Sequence, residues 1–182
     1  MEQDYVITKT GIKFMEVVRG LIGSRIDIDA DRIGLCMPGD NQNLLVCIGL
    51  YDIRRNTDVY TRNMISISAT ELKYPSSYYD LYYLIVPCSD GDLKYRLEEE
   101  MKILDIIIQF LGDEHFLNEE KGVEMELCNM DFADKAKIWT GLNQPMKNAV
   151  YCKVGPVEIQ STRTKKVSRV TDIQMDFVGE EG

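Results

Sequence analysis

Two stretches of the chain are apolar at almost every position. Leu44 to Ile53 places Leu44, Val46, Ile48 and Leu50 on one alternating face and Leu45, Cys47, Tyr51 and Ile53 on the other. Tyr78 to Pro87 does the same with Tyr79, Leu81, Tyr83 and Ile85 against Tyr82, Leu84 and Val86. A strand that is apolar on both faces sits between two covering layers, so both stretches are predicted as interior strands. One-sided alternation predicts half-buried strands at Ile65, Ile67 and Ala69, and at Val123, Met125 and Leu127 between Glu124 and Glu126. A last strand is predicted between Val170 and Val178, where Ile173, Met175 and Phe177 alternate with Gln174 and Asp176. Ile26 to Ile28 reads as a short strand. Val150, Cys152 and Val154 begin another, which Gly155-Pro156 interrupts; Val157 and Ile159 resume it out of phase, the pattern of a bulge or an edge.

Helical spacing marks three segments. Ile7, Ile12, Met15, Val18, Leu21 and Ile22 share one face, and Gly23 follows as a stop. Leu93, Leu97, Met101, Leu104, Ile108 and Leu111 recur every three or four residues after an N-cap at Asp90-Gly91-Asp92, with Gly112 as the end. The second half of that helix adds Ile103, Ile106, Ile107 and Phe110, which predicts packing against more than one neighbour. Asp131 to Leu142, capped by Asp131, presents Phe132, Ala136, Trp139 and Leu142, with Trp139 placed in the core. Between these elements, Gly34 to Asn43 with its Pro38-Gly39-Asp40-Asn41 is turn chemistry, Asn56-Thr57-Asp58 suggests a hairpin connection, and Pro75 resets the chain.

At 182 residues, one hydrophobic core can serve the whole chain, and one domain is expected. A net charge of −9 and a pI near 4.7 disfavour nucleic acid as the main partner, because phosphate contacts need clustered Lys and Arg. The first ten residues mix Glu2, Asp4 and Lys9 with apolar residues and lack a signal-peptide pattern, and no apolar run reaches the roughly 20 residues of a membrane helix. Synthesis and folding in the cytoplasm, away from membranes, are therefore expected. Cys36, Cys47, Cys88, Cys128 and Cys152 are scattered without a C-x-x-C pair and are read as reduced, small hydrophobic residues.

The catalytic candidates fail on chemistry. Asp27-x-Asp29-x-Asp31 opens like a calcium loop, but Arg32 stands where the loop needs Gly and Pro38 where it needs a bidentate Glu. Glu98-Glu99-Glu100 and Glu119-Glu120 read as solvated faces, since acid-base work needs two carboxyl groups in contrasting environments. His115 is a candidate base only in principle, beside Phe116 and Leu117 at a helix end where packing or capping is the commoner task. No phosphate loop or nucleophile elbow is present. The chain is read as non-enzymatic, without metal or cofactor. Tyr74, Tyr78, Tyr79, Tyr82 and Tyr83 crowd one strand, as strand formers or as anchors at a subunit interface. Arg163, Lys165, Lys166 and Arg169 form a basic cluster that is notable in so acidic a chain.

Several segments, in order, resemble the cap or tail-terminator family of extracellular contractile injection systems, the phage-tail-like particles that include tailocins. They are Leu50-Tyr51-Asp52-Ile53 closing a strand, Arg62-Asn63, Pro75 leading into Leu81-Tyr82-Tyr83-Leu84-Ile85, and the helix end at Leu111-Gly112. Ile138-Trp139-Thr140-Gly141-Leu142 and the lead from Pro145 to Tyr151 into Val157-Glu158-Ile159 complete the set, which spans Leu44 to about Ser161. The first helix matches more loosely, and the segment after Thr162 has no counterpart.

The resemblance implies an α+β domain over residues 1–162, a mixed and mostly antiparallel sheet flanked by about three helices, with 163–182 as part of the same domain or an inter-subunit arm. It further implies a hexameric ring on the last layer of the inner tube, and on the sheath, that ends polymerisation. It implies as well a particle that is assembled in the cytoplasm and can be released from the cell. On that reading the basic cluster meets an acidic surface of tube or sheath subunits, and Ile173, Met175 and Phe177 add a strand to a neighbour's sheet edge or pair within their own sheet. A terminator of an infectious phage tail would look the same in sequence. A small enzyme or ligand-binding domain would instead show a deep pocket around His115 or convergent carboxylates.

Overall fold

The computed structural model describes residues 5–40, 43–59, 63–118 and 122–167. In chain order its elements are α1 (Val6–Gly23), β1 (Ile33–Leu35), β2 (Val46–Arg55), β3 (Ile65–Ser68), β4 (Glu71–Lys73), β5 (Ser77–Pro87), α2 (Arg96–Asp113), β6 (Phe116–Asn118), β7 (Val123–Leu127), α3 (Phe132–Gly141), β8 (Val150–Ile159) and β9 (Thr164–Lys166). The two doubly apolar stretches become β2 and β5, which pair antiparallel from Val46↔Pro87 to Arg55↔Tyr79. They lie inside a six-stranded sheet of order β1-β2-β5-β8-β7-β6, in which the β1–β2 pair alone is parallel. The fold is thus α+β, with a mixed, mostly antiparallel sheet.

Strand alternation sorts the apolar residues into two cores. Val46 and Ile48 of β2, Leu81, Tyr83 and Ile85 of β5, and Val150, Cys152, Val154 and Val157 of β8 pack with Phe14, Val18 and Ile22 of α1 and with Ile103, Ile107 and Leu111 of α2. The opposite face carries Cys47, Leu84, Val86 and Tyr151 against Trp139 of α3, whose indole N–H donates to the Tyr151 hydroxyl at 2.8 Å. All five cysteines are free thiols, with Cys47 and Cys152 fully buried.

The phase change in β8 is a bulge. Leu81 pairs with Val154 and Tyr79 with Val157, so β8 spends one residue more than β5 between these pairs. The extra residue returns Val157 to the core face that Val154 occupies. It is an interior position, flanked by β5 and, at Glu124↔Gly155, by β7. A second bulge, between Leu50 and Asp52 of β2, has the opposite consequence for Ile53, which is exposed although predicted on an apolar face.

Other expectations are corrected. No strand forms at Ile26–Ile28, because the Ile26 N–H donates to the Ile22 carbonyl at the end of α1 and the Ile28 N–H to the Ile26 carbonyl, both at 2.9 Å. The strand is β1, in part of the stretch read as turn. Asp92 does not cap α2 directly: its carbonyl accepts from Tyr95 and Arg96, forming a turn ahead of the helix, and Gly112 lies within the last helical turn. Phe132 at the start of α3 is 74% exposed, while Asp131 caps that helix as predicted, accepting from the Asp134 N–H at 2.7 Å.

The register of α2 is the largest correction. Its buried residues are Ile103, Ile107 and Leu111, whereas Leu93, Leu97, Met101 and Ile108 of the predicted core stripe face solvent. The strand predicted at Ile65–Ala69 also forms, as β3, but Ile65 and Ile67 are about half exposed. It belongs to a separate sheet of order β3-β4-β9, with which, among the described residues, neither the helices nor the large sheet make extensive contact. The strand expected between Val170 and Val178 lies outside the described residues.

Tyr83 couples this core to pH. Its ring packs on Phe14 with centroids 5.1 Å apart, and its hydroxyl reaches toward α1 where Gly11 has no side chain. Burial, with a smaller contribution from Cys152, pushes the Tyr83 hydroxyl up to about 12. A folded-state value above the unfolded value of about 10 makes its contribution complete below pH 10, and lost as pH rises through 12. The loss is on the order of 3 kcal/mol from this group, and Tyr51 and Tyr151, raised chiefly by burial, add in the same direction. Urea melts at pH 9 and pH 11.5 are expected to show the drop, and Tyr83→Phe to shrink it; an equal drop in the variant would place the titration elsewhere.

Candidate assembly surfaces

Two surfaces are left uncovered by the cores just described. The first is built on the small sheet. β4 pairs antiparallel with β3 on one side and with β9 on the other, through Ile65↔Lys73, Lys73↔Thr164 and Glu71↔Lys166. Cross-strand partners share a face, so Ile65, Lys73 and Lys166 project together, with Glu71 among them. Ser66, Leu72 and Lys165 share the other face. The sheet is tied to its own chain at β9: the Tyr74 N–H donates to the Arg163 carbonyl at 3.0 Å, the Arg163 guanidinium lies 4.5 Å from the Tyr74 ring centre, and Lys73 Nζ donates to Gln160 Oε1 at 2.9 Å.

Arg163, Lys165 and Lys166, the basic residues picked out in the sequence, are therefore brought together on an exposed intrachain strand and its lead-in. Arg169, Ile173, Met175 and Phe177 lie outside the described residues.

The second surface is the outer side of α2. Leu97 and Met101 are 55% and 53% exposed, and Leu93, in the turn ahead of the helix, is 80% exposed. Ile108 extends the stripe. Glu98 and Asp105 flank it, Glu98 bonded to Lys102 at 2.8 Å. Asp90 to Asp113 carries seven carboxylates against three basic side chains, so the surroundings of this stripe are acidic. The sequence held a signal for this surface: α2 has more apolar positions than one contact face can use, and Ile103, Ile107 and Leu111 took the core.

The tyrosines divide between core and surface. Tyr83 and Tyr151 are buried, while Tyr51, packed on Tyr151, and Tyr82 are partly exposed, with the Arg54 guanidinium 4.7 Å from the Tyr82 ring centre and held to Asp52 at 2.6 Å. A cleft of about 550 Å³ opens between α1, β6 and the end of β8, lined among others by Lys9, Lys13, Tyr78 and Glu158. Among the described residues its lining has one carboxylate and not His115, which is exposed at the end of α2. Among the described residues no group of three or more His, Cys, Asp or Glu is placed to hold a metal ion, and no helix is long and apolar enough to cross a membrane. Asp29 of the acidic run caps a 3-10 turn, accepting from the Asp31 N–H at 3.0 Å.

This arrangement of sheet and helices is the fold of terminator caps of contractile injection systems. The chain is similar to a PVC sheath/tube terminator from an extracellular contractile injection system in its extended state (TM-score 0.65, 14% identity, 93% of this chain and 64% of that one). It is likewise similar to the tube-terminating cap of the anti-feeding prophage (TM-score 0.58, 14% identity, 96% of this chain and 62% of that one). Residues 17–172 match the family described as the Pvc16 N-terminal domain, and the chain belongs to that family. The resemblance read from Leu44 to Ser161 is thereby borne out. The chain spans less than two thirds of the length of either solved structure. No curated protein matches it in sequence.

Proposed function

We propose that this chain is a non-enzymatic terminator of a contractile, phage-tail-like injection particle, forming a ring, of six copies as the family resemblance implies, on the end of the inner tube and touching the sheath. The observation that carries this reading is the fold match over more than nine tenths of the chain to two proteins whose names state that they end a tube, one of them a sheath as well. Membership of the Pvc16 N-terminal domain family supports it. So do the two uncovered surfaces, since a terminator must contact subunits on several sides while offering no new growth end.

On this reading the chain needs no cofactor, and it folds in the cytoplasm before the particle is released. The 163–182 segment contributes an assembly contact, with Arg163, Lys165, Lys166 and Arg169 as its basic part and Ile173, Met175 and Phe177 as its apolar part. Adding the purified chain to growing tubes of inner-tube protein from the same gene cluster is expected to shorten them and to place a ring on their ends in negative stain. Tubes of unchanged length with bare ends would leave only a shared fold, which does not fix function.

A further inference from the structure

We infer that copies of this chain join head to tail, the small sheet of one, through Ile65, Lys73 and Lys166, seating on the outer stripe of α2, Leu93, Leu97 and Met101, of the next. Each half is incomplete alone. Among the described residues no layer covers the three short strands, and none of their residues is fully buried, and a surface helix ordinarily turns polar residues outward where α2 turns leucine and methionine.

The two halves fit in charge. On the seating face Lys73 and Lys166 outnumber the one acid, Glu71, while Lys165 lies on the other face. The α2 stripe is flanked by Glu98 and Asp105 within an acidic segment. The sheet face is thus net basic and the surroundings of the α2 stripe net acidic, so the pairing of unlike patches is favoured over the pairing of like ones. They also lie at opposite ends of the molecule. β4 ends shortly before β5 begins, and the turn holding Leu93 follows the far end of β5, whose eleven residues span about 35 Å. Unlike patches at opposite ends generate head-to-tail association, which makes a ring when the rotation from copy to copy closes. The pairing deepens the terminator reading and rests on it for the ring.

The test uses two full-length variants and mixing. In one, Glu71→Lys, Lys73→Glu and Lys166→Glu reverse the sheet face while keeping unlike charges at the cross-strand positions 71 and 166; in the other, Glu98→Lys and Asp105→Lys reverse the helix flank. All five positions lie outside the buried cores, so both should melt within a few degrees of wild type. Mass photometry and light scattering are expected to give particles of more than two copies for wild type, and association at least tenfold weaker for each variant alone. An equimolar mixture should recover assembly, because the reversed sheet of one variant then meets the reversed helix flank of the other, and the two unreversed patches meet each other, each pair of opposite charge. A structural defect would not be rescued by mixing.

A wild-type chain that stays monomeric or stops at dimers, variants that assemble like wild type, or a mixture that fails to recover would each overturn the pairing. Binding to tube ends, measured on the same samples, separates the two claims. Wild type that caps tubes without pairing keeps the terminator reading and removes this interface; copies that pair as described but ignore tubes do the reverse.

Discussion

Substituting alanine for Gly155 is expected to cost about 3 kcal/mol and to lower the melting temperature by roughly 6–12 °C, a large effect for one added methyl group. The reason is the close passage of β8 over β5 at the bulge. A Cβ at this position would meet the Asp80 carboxylate, the Asp80 Cα at 3.0 Å and the Tyr79 carbonyl oxygen at 3.1 Å. Two of these three atoms are backbone of the neighbouring interior strand, so no rotamer change relieves the clash. Asp80 is itself held by the Asn56 amide, which donates to both its carboxylate oxygens at 3.0 and 3.1 Å and thereby fixes the chain leaving β2. Strain at Gly155 therefore spreads toward the base of the small sheet. Gly20→Ala is the control: it is exposed within α1 with nothing inside 4 Å of a Cβ, and is expected to gain about 0.5–1 kcal/mol through helix propensity. Thermal melts of both variants decide the point, and a Gly155→Ala protein as stable as wild type would mean the bulge is looser than its geometry.

The same bulge shows how far the amino-acid pattern reaches. Period-two alternation in Leu44–Ile53 and Tyr78–Pro87 predicts both cores correctly, because a strand between two layers must place alternate side chains in each. The break at Gly155-Pro156 is visible as a phase change, and it is a bulge. What the pattern cannot carry is which of two apolar stripes a helix buries. In α2 both stripes have helical spacing, and the choice belongs to the partner surface: the sheet accepts Ile103, Ile107 and Leu111 and leaves the longer row outside. Ile65 and Ile67 mislead for a related reason, since alternation reports an apolar face without reporting whether anything in the chain covers it. The candidate surfaces were legible only by halves. The basic residues stand out against a net charge of −9. Their assembly with β4 into one sheet is tertiary, and the apolar stripe of α2 was hidden by being read as core.

The two stripes of α2 are expected to separate under substitution. Ile107→Ala removes a side chain that is 1% exposed, between the sheet and α1, and leaves a cavity that close-packed neighbours fill only partly; the expected cost is about 2–5 kcal/mol. Leu97→Ala trims a side chain that is already half in water, and in the isolated chain should change stability by no more than about 0.5 kcal/mol. Helix propensity contributes little to the contrast, because both exchanges end in alanine and leucine and isoleucine differ by only a few tenths of a kcal/mol from one another. Urea midpoints measured at a concentration low enough to keep the chain monomeric give both values. An equal loss in the two variants would rotate α2 and remove the outer stripe from the surface. The expected split leaves Leu97 an apolar side chain that stability does not require, on a helix otherwise acidic, and association is the property that its replacement should change.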